Sequence, residues 1–359
     1  MGASPWAARQ SRNGQAFGPS ESVVKLSILS VADHYPEGAR HQGAFYRAII
    51  DQAVLAESLG YEICFIAEHH FHPYGTVPNP AVLLSAIAQR TSRICLGPAI
   101  TVLPFRDPRT VAEDYALLDQ LSGGRLILGL GSGYLKHEFA GFGINGAEKR
   151  DRFDENMAIV KQLLTGTRVT HPGKFTSLDA VQLNVTPQQK EVPIYVAALN
   201  KEAVYHIGRQ GNGLLTIPYG TLENFAQIGA LQEAFARGRQ EASAPPMPGG
   251  LAPHITTFHT YVARTDKEAE ALVRDAFELY CRTRLYAKPW TYEQIHDNGL
   301  ALFGSVETIA EKLIALSRMG VEHVATLSNF GALDAERVEA SMKLMVNEVL
   351  PIVQKATRR

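Results

Sequence analysis

The sequence predicts an α/β protein, a (β/α)8 barrel of TIM type with insertions at the C-terminal face of its strands, and three observations predict it. From Val23 onward, short apolar runs of strand character alternate with longer amphipathic stretches of helical period, as βα units around a parallel sheet do. Eight such runs can be counted, the barrel number. The joints also repeat: a helix stops at a glycine, as at Leu59-Gly60 and Ser122-Gly123-Gly124, and a strand follows. An open doubly wound sheet shares the alternation, since periodicity does not show closure; the strand count favours the barrel.

The strands are read at Lys25–Ala32, Glu62–Ala67, Arg93–Val102, Leu126–Gly131, Ile194–Ala198, Leu214–Ile217, His254–Ala263 and Glu322–Leu327. Between them, Asn79-Pro80 and Asp107-Pro108 each set a capping side chain before a proline at the first helical position. Three segments exceed ordinary connections: Ser132–Pro193, Glu241–Pro253 and about Thr283–Phe303. The first holds a helix over Arg152–Leu164 and a hairpin near Phe175–Val185, and long insertions of this kind are expected to wall the mouth of the barrel. Residues 1–21, rich in Gly, Ser, Pro, Ala and Arg without periodicity, read as a flexible extension, and 22–359 as one barrel domain.

Composition narrows the function classes. With 359 residues, 45% of them hydrophobic, the chain can bury a large core. Lys and Arg number 35 against 36 Asp and Glu, so no net field gathers nucleic acid or anionic lipid. The three cysteines are far apart, and Cys64 and Cys95 sit in apolar runs, which fits a reducing compartment. No stretch approaches the roughly 18 apolar residues of a membrane span, and the first 21 residues lack an apolar signal core. A cytoplasmic protein is expected.

In a barrel, chemistry collects where strands end, so those positions carry the functional reading. The second strand runs into Glu68-His69-His70-Phe71-His72, a carboxylate and three imidazoles suited to proton transfer or metal binding. A lone histidine there would pass for a surface residue; the cluster is less easily dismissed. The third strand ends in Ala99-Ile100-Thr101-Val102, uncharged and suited to the face of a flat cofactor, although ordinary core reads the same way. The fourth ends in Gly131-Ser132-Gly133-Tyr134, where glycines allow close backbone approach, but GLGSG matches the dinucleotide fingerprint poorly. After the fifth, Ala198-Leu199-Asn200-Lys201-Glu202-Ala203 opens a helix capped by Asn200; its free N–H groups suit a phosphate, as those of any helix start do. His34, Tyr35, Phe71 and Phe105 suggest an apolar substrate pocket with a few polar contacts. The set Glu138, Arg150, Arg152, Asp154 and Glu155 reads as ion pairs that fix the long insertion.

Taken together, AEHHF, AITVLPFRDP, LDQLSGGRLILGLGSGY into EFAGFG, and VPIYVAALN resemble the bacterial luciferase-like flavin monooxygenases, from about Lys25 to Val353. The segment GSVETIAEKLIALSRMGVEHV is similar to that family's penultimate helix and last strand. The resemblance implies non-covalent FMN, its ring over strands two to four and its phosphate beyond strands four and five. It makes His69 the acid or base beside the flavin, with Glu68 next to it. Ala99 and Ile100 match a pair joined by a cis peptide against the ring, with Thr101 following. Gly131, Ser132, Gly133 and Tyr134 match the turn near the flavin tail, and Ala198, Leu199, Asn200 and Ala203 the phosphate loop.

The chain departs from the luciferases at Gly131-Ser132, where they carry a Cys-Arg pair, and the acidic and hydroxyl residues of their phosphate loop are replaced here. Light emission is therefore not expected, and phosphate contact falls to backbone N–H groups, Asn200 and Ser132. The implied reaction uses reduced flavin and O2 to oxygenate a small organic substrate in a pocket that excludes water. With no nicotinamide fingerprint, reduced flavin is expected from a separate flavin reductase; the chain is also expected to pair with itself as a homo-oligomer, a dimer.

Three rivals stand beside this reading. A deazaflavin-dependent oxidoreductase of the same fold would move hydride without O2. A non-catalytic flavin-binding protein would not need Glu68 and His69. A metal hydrolase could use His70-x-His72, but later strands end in Val-Ala-Ala, Thr-Ile-Pro and Leu-Ser-Asn, which complete no ligand set. No metal is therefore expected, and activity should survive a chelator; activity abolished by chelation and restored by zinc would overturn the flavin reading.

Overall fold

The computed structural model describes residues 24–35, 41–72, 74–198, 200–284 and 290–357. The extension read at 1–21 lies outside them. The strands are β1 Lys25–Ser30, β2 Ile63–Ile66, β3 Cys95–Pro98, β4 Thr101–Val102, β5 Leu128–Gly131, β6 Val169–Pro172, β7 Ser177–Val181, β8 Ile194–Ala198, β9 Gly213–Thr216, β10 His254–Ala263, β11 Leu302–Ser305 and β12 His323–Leu327. Ten of them form one sheet in the order β3-β2-β1-β12-β10-β9-β8-β5-β4, with β11 paired to β10. Every pairing in it is parallel.

All eight strands read from the sequence are present, and one is broken. The run Arg93–Val102 divides into β3 and β4 around a cis peptide between Ala99 and Ile100. β3 pairs with β2 and β4 with β5, and a parallel bridge between Leu96 and Leu126 brings the two ends of the sheet together. Two glycines make the approach possible. A Cβ on Gly97 would lie 2.4 Å from the Ile127 carbonyl oxygen, and one on Gly129 2.2 Å from that of Pro98. Any side chain there would force the backbones apart.

Side chains alternate across each strand. One set meets inside the barrel: Ile63, Phe65, Cys95, Ile127, Tyr195, Leu215, Ile255 and Ala325, joined by Met247 and Leu251. The other packs under the helices in a larger cluster that includes Leu26, Ile66, Leu96, Leu128, Val196, Leu214 and Val324. Burying each large side chain contributes about 1.5–3 kcal/mol, so Phe65, fully buried in the plug, is worth more than any surface contact. The helices begin where the sequence places caps: Asn79 accepts from the Ala81 N–H before Pro80–Ala88, and Asp107 from that of Arg109 before Pro108–Ser122.

The structure corrects three expectations about the long segments. Residues 242–253 follow a helix and precede a strand, so they close the N-terminal end instead of walling the mouth; the Tyr195 hydroxyl donates to the Ala252 carbonyl there, at 2.6 Å. The stretch read as a connection up to Phe303 contains a helix, Tyr292–Asp297, and the start of β11, four residues too short to show a period. The hairpin of the first insertion is β6 with β7, earlier than Phe175–Val185, and its helix is Lys149–Leu163.

Toward the N-terminal end sit two histidines that hold no charge. His254 is buried, with Nε2 2.8 Å from the Thr216 hydroxyl and Nδ1 against Gln232 Oε1, and burial pushes it down to about 3. His323, bonded to the Ser27 hydroxyl, is also pushed down to about 3 by burial, with Lys25 adding to it. Unfolded histidine titrates near ~6.5, so the unfolded chain takes up protons that the native state refuses. Their contribution is complete above about pH 6.5 and is lost as pH falls toward 3. Between pH 7 and pH 5 each should cost roughly 2 kcal/mol of stability. Asp33, raised to about 6 chiefly by burial, acts in the opposite sense and is common to any variant elsewhere. In urea titrations, the double variant His254→Gln, His323→Gln should therefore lose markedly less stability over that interval than the parent. Equal losses would contradict the assignment.

Candidate active site

β2 ends at Ile66, but the chain continues extended past the rim, and the register with β3 sets it beside Pro98 and Ala99. Alternation persists, so Glu68 and His70 share one side and His69 takes the other. Glu68 has a side chain 0% exposed, with Oε1 3.1 Å from His70 Nε2 and Oε2 3.7 Å from the Arg106 guanidinium. Arg106 in turn holds Asp114 at 2.7 Å. Burial raises the Glu68 carboxyl above its ordinary value, against the pull of His70 and Arg106. Glu68 thus does not meet His69, although it precedes it in sequence.

His69 meets a residue 69 positions away. Its Nδ1 lies 3.2 Å from Glu138 Oε1, and the same oxygen accepts the His70 backbone N–H at 2.9 Å. The His69 ring packs against Tyr74 at 4.8 Å and stands edge-on to Tyr134 at 6.4 Å. Its backbone N–H donates to the Val77 carbonyl. Nε2, on the opposite edge of the ring, makes no hydrogen bond among the described residues.

Glu138 lies on a short helix, Lys136–Gly141, at the start of the first insertion, and is itself buried. The sequence grouped it with four charged residues as an insertion brace. Those four do brace: Arg150 pairs with Asp154, Arg152 with Glu148, and Glu155 accepts the backbone N–H groups of Lys174, Phe175 and Thr176 at the hairpin turn. Glu138 leaves the group and enters the site. Its apolar neighbours Leu135 and Phe139 were the available signal, since a carboxylate between buried positions needs a partner.

The floor is apolar. Leu29, Ala99, Ile100 and Ala197 are partly exposed above the interior plug, so a flat group could rest on them. Gly131 lies under Ile100, and Ser132, Gly133 and Tyr134 follow, half-buried. Thr101 turns away from the mouth, its hydroxyl bonded to that of Tyr115 on the helix Pro108–Ser122. Ala198 is buried, Leu199 lies outside the described residues, and Asn200 caps the helix Lys201–Arg209 through the Ala203 N–H at 2.8 Å.

The residues read as a substrate wall fall into two groups. Phe105 stacks on Phe142 at 4.8 Å and meets Phe139 edge-on, and Phe71, 64% exposed, packs on Phe142 from outside. Across the mouth, His34 packs on Phe45 and the Tyr35 hydroxyl donates to Asp33 at 2.8 Å. A further cluster had no sequence signal, because its members come from separate connections. The Tyr74 and Tyr280 hydroxyls are 2.9 Å apart, Arg284 lies over the Tyr219 ring at 4.3 Å, and His259 is fully buried among the rings of Tyr219, Phe277, Tyr280 and Phe330. Among the described residues no group of three or more His, Cys, Asp or Glu could hold a metal ion, and no helix is long and apolar enough to cross a membrane.

Residues 25–323 match the family model for luciferase-like monooxygenases. A monooxygenase from Streptomyces bottropensis, RslO1, has a similar structure, with a TM-score of 0.83 and 26% identity over 91% of this chain and 99% of that one. Limonene 1,2-monooxygenase of Rhodococcus erythropolis is 29% identical over 267 residues, 70% of this chain and 66% of its own length. An F420-dependent glucose-6-phosphate dehydrogenase of Microbacterium testaceum is 33% identical over 175 residues, 47% of this chain and 52% of its own. The chain spans about half the length of the first curated relatives it matches.

Gly75 supports the geometry directly, because a Cβ there would lie 2.6 Å from both Cβ and Cδ2 of His69. Gly75→Ala should therefore displace the imidazole while leaving the barrel folded. A crystal structure of the variant, or the His69 ring signals in its NMR spectrum, reports the shift; an unmoved ring would show that the loop yields instead.

Proposed function

The chain belongs to the luciferase-like monooxygenase family, and on that premise we propose that it is an FMN-dependent monooxygenase that oxygenates a small apolar organic substrate, its reduced flavin supplied by a separate reductase. The observation that carries the reading is the buried His69–Glu138 pair at the rim beside an apolar floor. The residues present fit a flavin. Leu29, Ala99, Ile100 and Ala197 offer a partly exposed apolar surface, and Gly131 keeps that surface low where a Cβ would press on Ile100 at 2.6 Å. The helix Lys201–Arg209, capped by Asn200, presents backbone N–H groups suited to a phosphate. FMN bound there would supply the electrons that activate O2.

The chain's own residues have three tasks in this reading. The phenylalanines Phe105, Phe139 and Phe142 hold an apolar substrate and keep water out. His69 moves the proton: with Nδ1 on Glu138, Nε2 takes a proton from the reacting group and returns it as the product forms. Glu68 acts at one remove, anchoring His70 and Arg106 behind the loop.

The F420-dependent relatives support a second reading, a deazaflavin-dependent oxidoreductase, and one experiment separates the two. Protein loaded with FMN plus a reductase, or with reduced F420, is given O2 and a panel of small alkenes, ketones and aldehydes that includes limonene. Oxygenated product with FMN alone is expected; O2-independent turnover with F420 alone would replace the proposal. On the same panel, His69→Ala should slow product formation about 10²–10⁴-fold with little change in FMN affinity. Undiminished turnover in that variant would remove His69 from the chemistry.

A further inference from the structure

Glu138 is a carboxylate taken out of water, and among the described residues nothing cationic at fixed charge is paired with it: its side chain meets the His69 ring and a backbone N–H. Burying a carboxylate on such terms is costly unless its acceptors are used well. We propose that Glu138 is the positioning residue for His69, holding the imidazole as its Nδ1–H tautomer so that Nε2 carries the lone pair away from the carboxylate. A carboxylate accepts only, so Nδ1 must be the donor across the 3.2 Å contact, which leaves Nε2 bare in the neutral ring. A buried carboxylate that fixes the tautomer of a proton-moving histidine is a recurring device of catalysis.

The second half of the argument is mechanical. Glu138 and its neighbour His137 grip the His70 residue from both ends: Glu138 Oε1 accepts its N–H at 2.9 Å, and His137 Nε2 donates to its carbonyl at 3.0 Å. The loop that carries His69 is thereby tied at the next residue to the helix Lys136–Gly141. That helix belongs to the insertion, so the insertion is an arm that orients the imidazole as well as a wall. Glu68 cannot substitute, because it faces His70 and Arg106 on the opposite side of the strand.

The role rests on His69 being the proton-moving group, and its test uses a readout that does not depend on turnover. In chain labelled with 15N-histidine and free of flavin, long-range 1H–15N spectra distinguish the protonated ring nitrogen from the bare one, and His69→Gln assigns the signals. The parent should show Nδ1 protonated and Nε2 bare. Glu138→Gln keeps the shape and an oxygen at the shared acceptor position, so the Nδ1–H tautomer should persist in it, whereas Glu138→Met keeps the bulk but removes the acceptor, so the Nε2–H tautomer should rise to a substantial fraction. Glu138→Ala should mix the tautomers and broaden the ring signals, and Glu138→Asp, one methylene short, should recover the parent pattern in part. With the FMN system, Glu138→Met should lower kcat on the order of 10²-fold while FMN affinity holds.

An unchanged tautomer in Glu138→Met overturns the inference whatever the activity, and this variant of similar size decides the matter if Glu138→Ala does not fold. A tautomer that switches in a chain with no FMN-dependent turnover would leave the positioning role standing and overturn the proposed reaction.

Discussion

A parallel sheet has no free edge only when its first and last strands meet, and in this chain they meet at residues 96–102. β3 answers to β2 and β4 answers to β5, so one segment must serve two neighbours and step sideways between them. The step is at Ala99-Ile100, and Gly97 and Gly129 let the backbones on either side come close enough to pair. Everything at the mouth inherits its position from that closure. The apolar shelf of Ala99 and Ile100 is the step itself, and the loop from Ala67 to His70 runs beside it because β2 is in register with β3.

The rim then separates charge by strand alternation. Glu68 and His70 lie on one side with Arg106 and the half-buried Asp114 behind them, so that the buried Glu68 carboxylate has a cation at hand. His69 lies on the other side with Glu138, whose carboxylate meets a ring nitrogen and a backbone amide among the described residues. Buried ion pairs contribute little net stability but are costly to break, which makes the first group a fixed frame. The difference between the two glutamates is therefore one of neighbours, since both are buried and both belong to the same loop contact.

The same reasoning sorts the histidines. His254 and His323 are pushed down to about 3 by burial and serve hydroxyl partners near the closed end of the barrel. His259 is held well below its ordinary value, again by burial, with Arg284 adding to it, inside a box of aromatic rings. None of the three is suited to take up a proton near neutrality. His69, at the open end with a carboxylate on Nδ1, is built differently from all of them.

The sequence by itself determined the alternation of strands and helices, because the period of two in strands, the glycine stops and the caps at Asn79 and Asp107 are local physics that a neighbour hundreds of residues away does not alter. It also determined where to look, since AEHHF and the uncharged end of the third strand sit at strand ends whatever the closure. It did not show the side of the barrel on which residues 242–253 lie, nor β11, whose four residues are shorter than any period. Glu138 had a brace-like setting among Arg150, Arg152, Asp154 and Glu155, and only the folded chain takes it away from them. The pairing of Glu138 with His69 spans 69 positions and two connections, and Tyr74 meets Tyr280 across 206. Such contacts depend on how separate elements are held over one opening, and no local propensity encodes them; that placement is what tertiary structure alone decided.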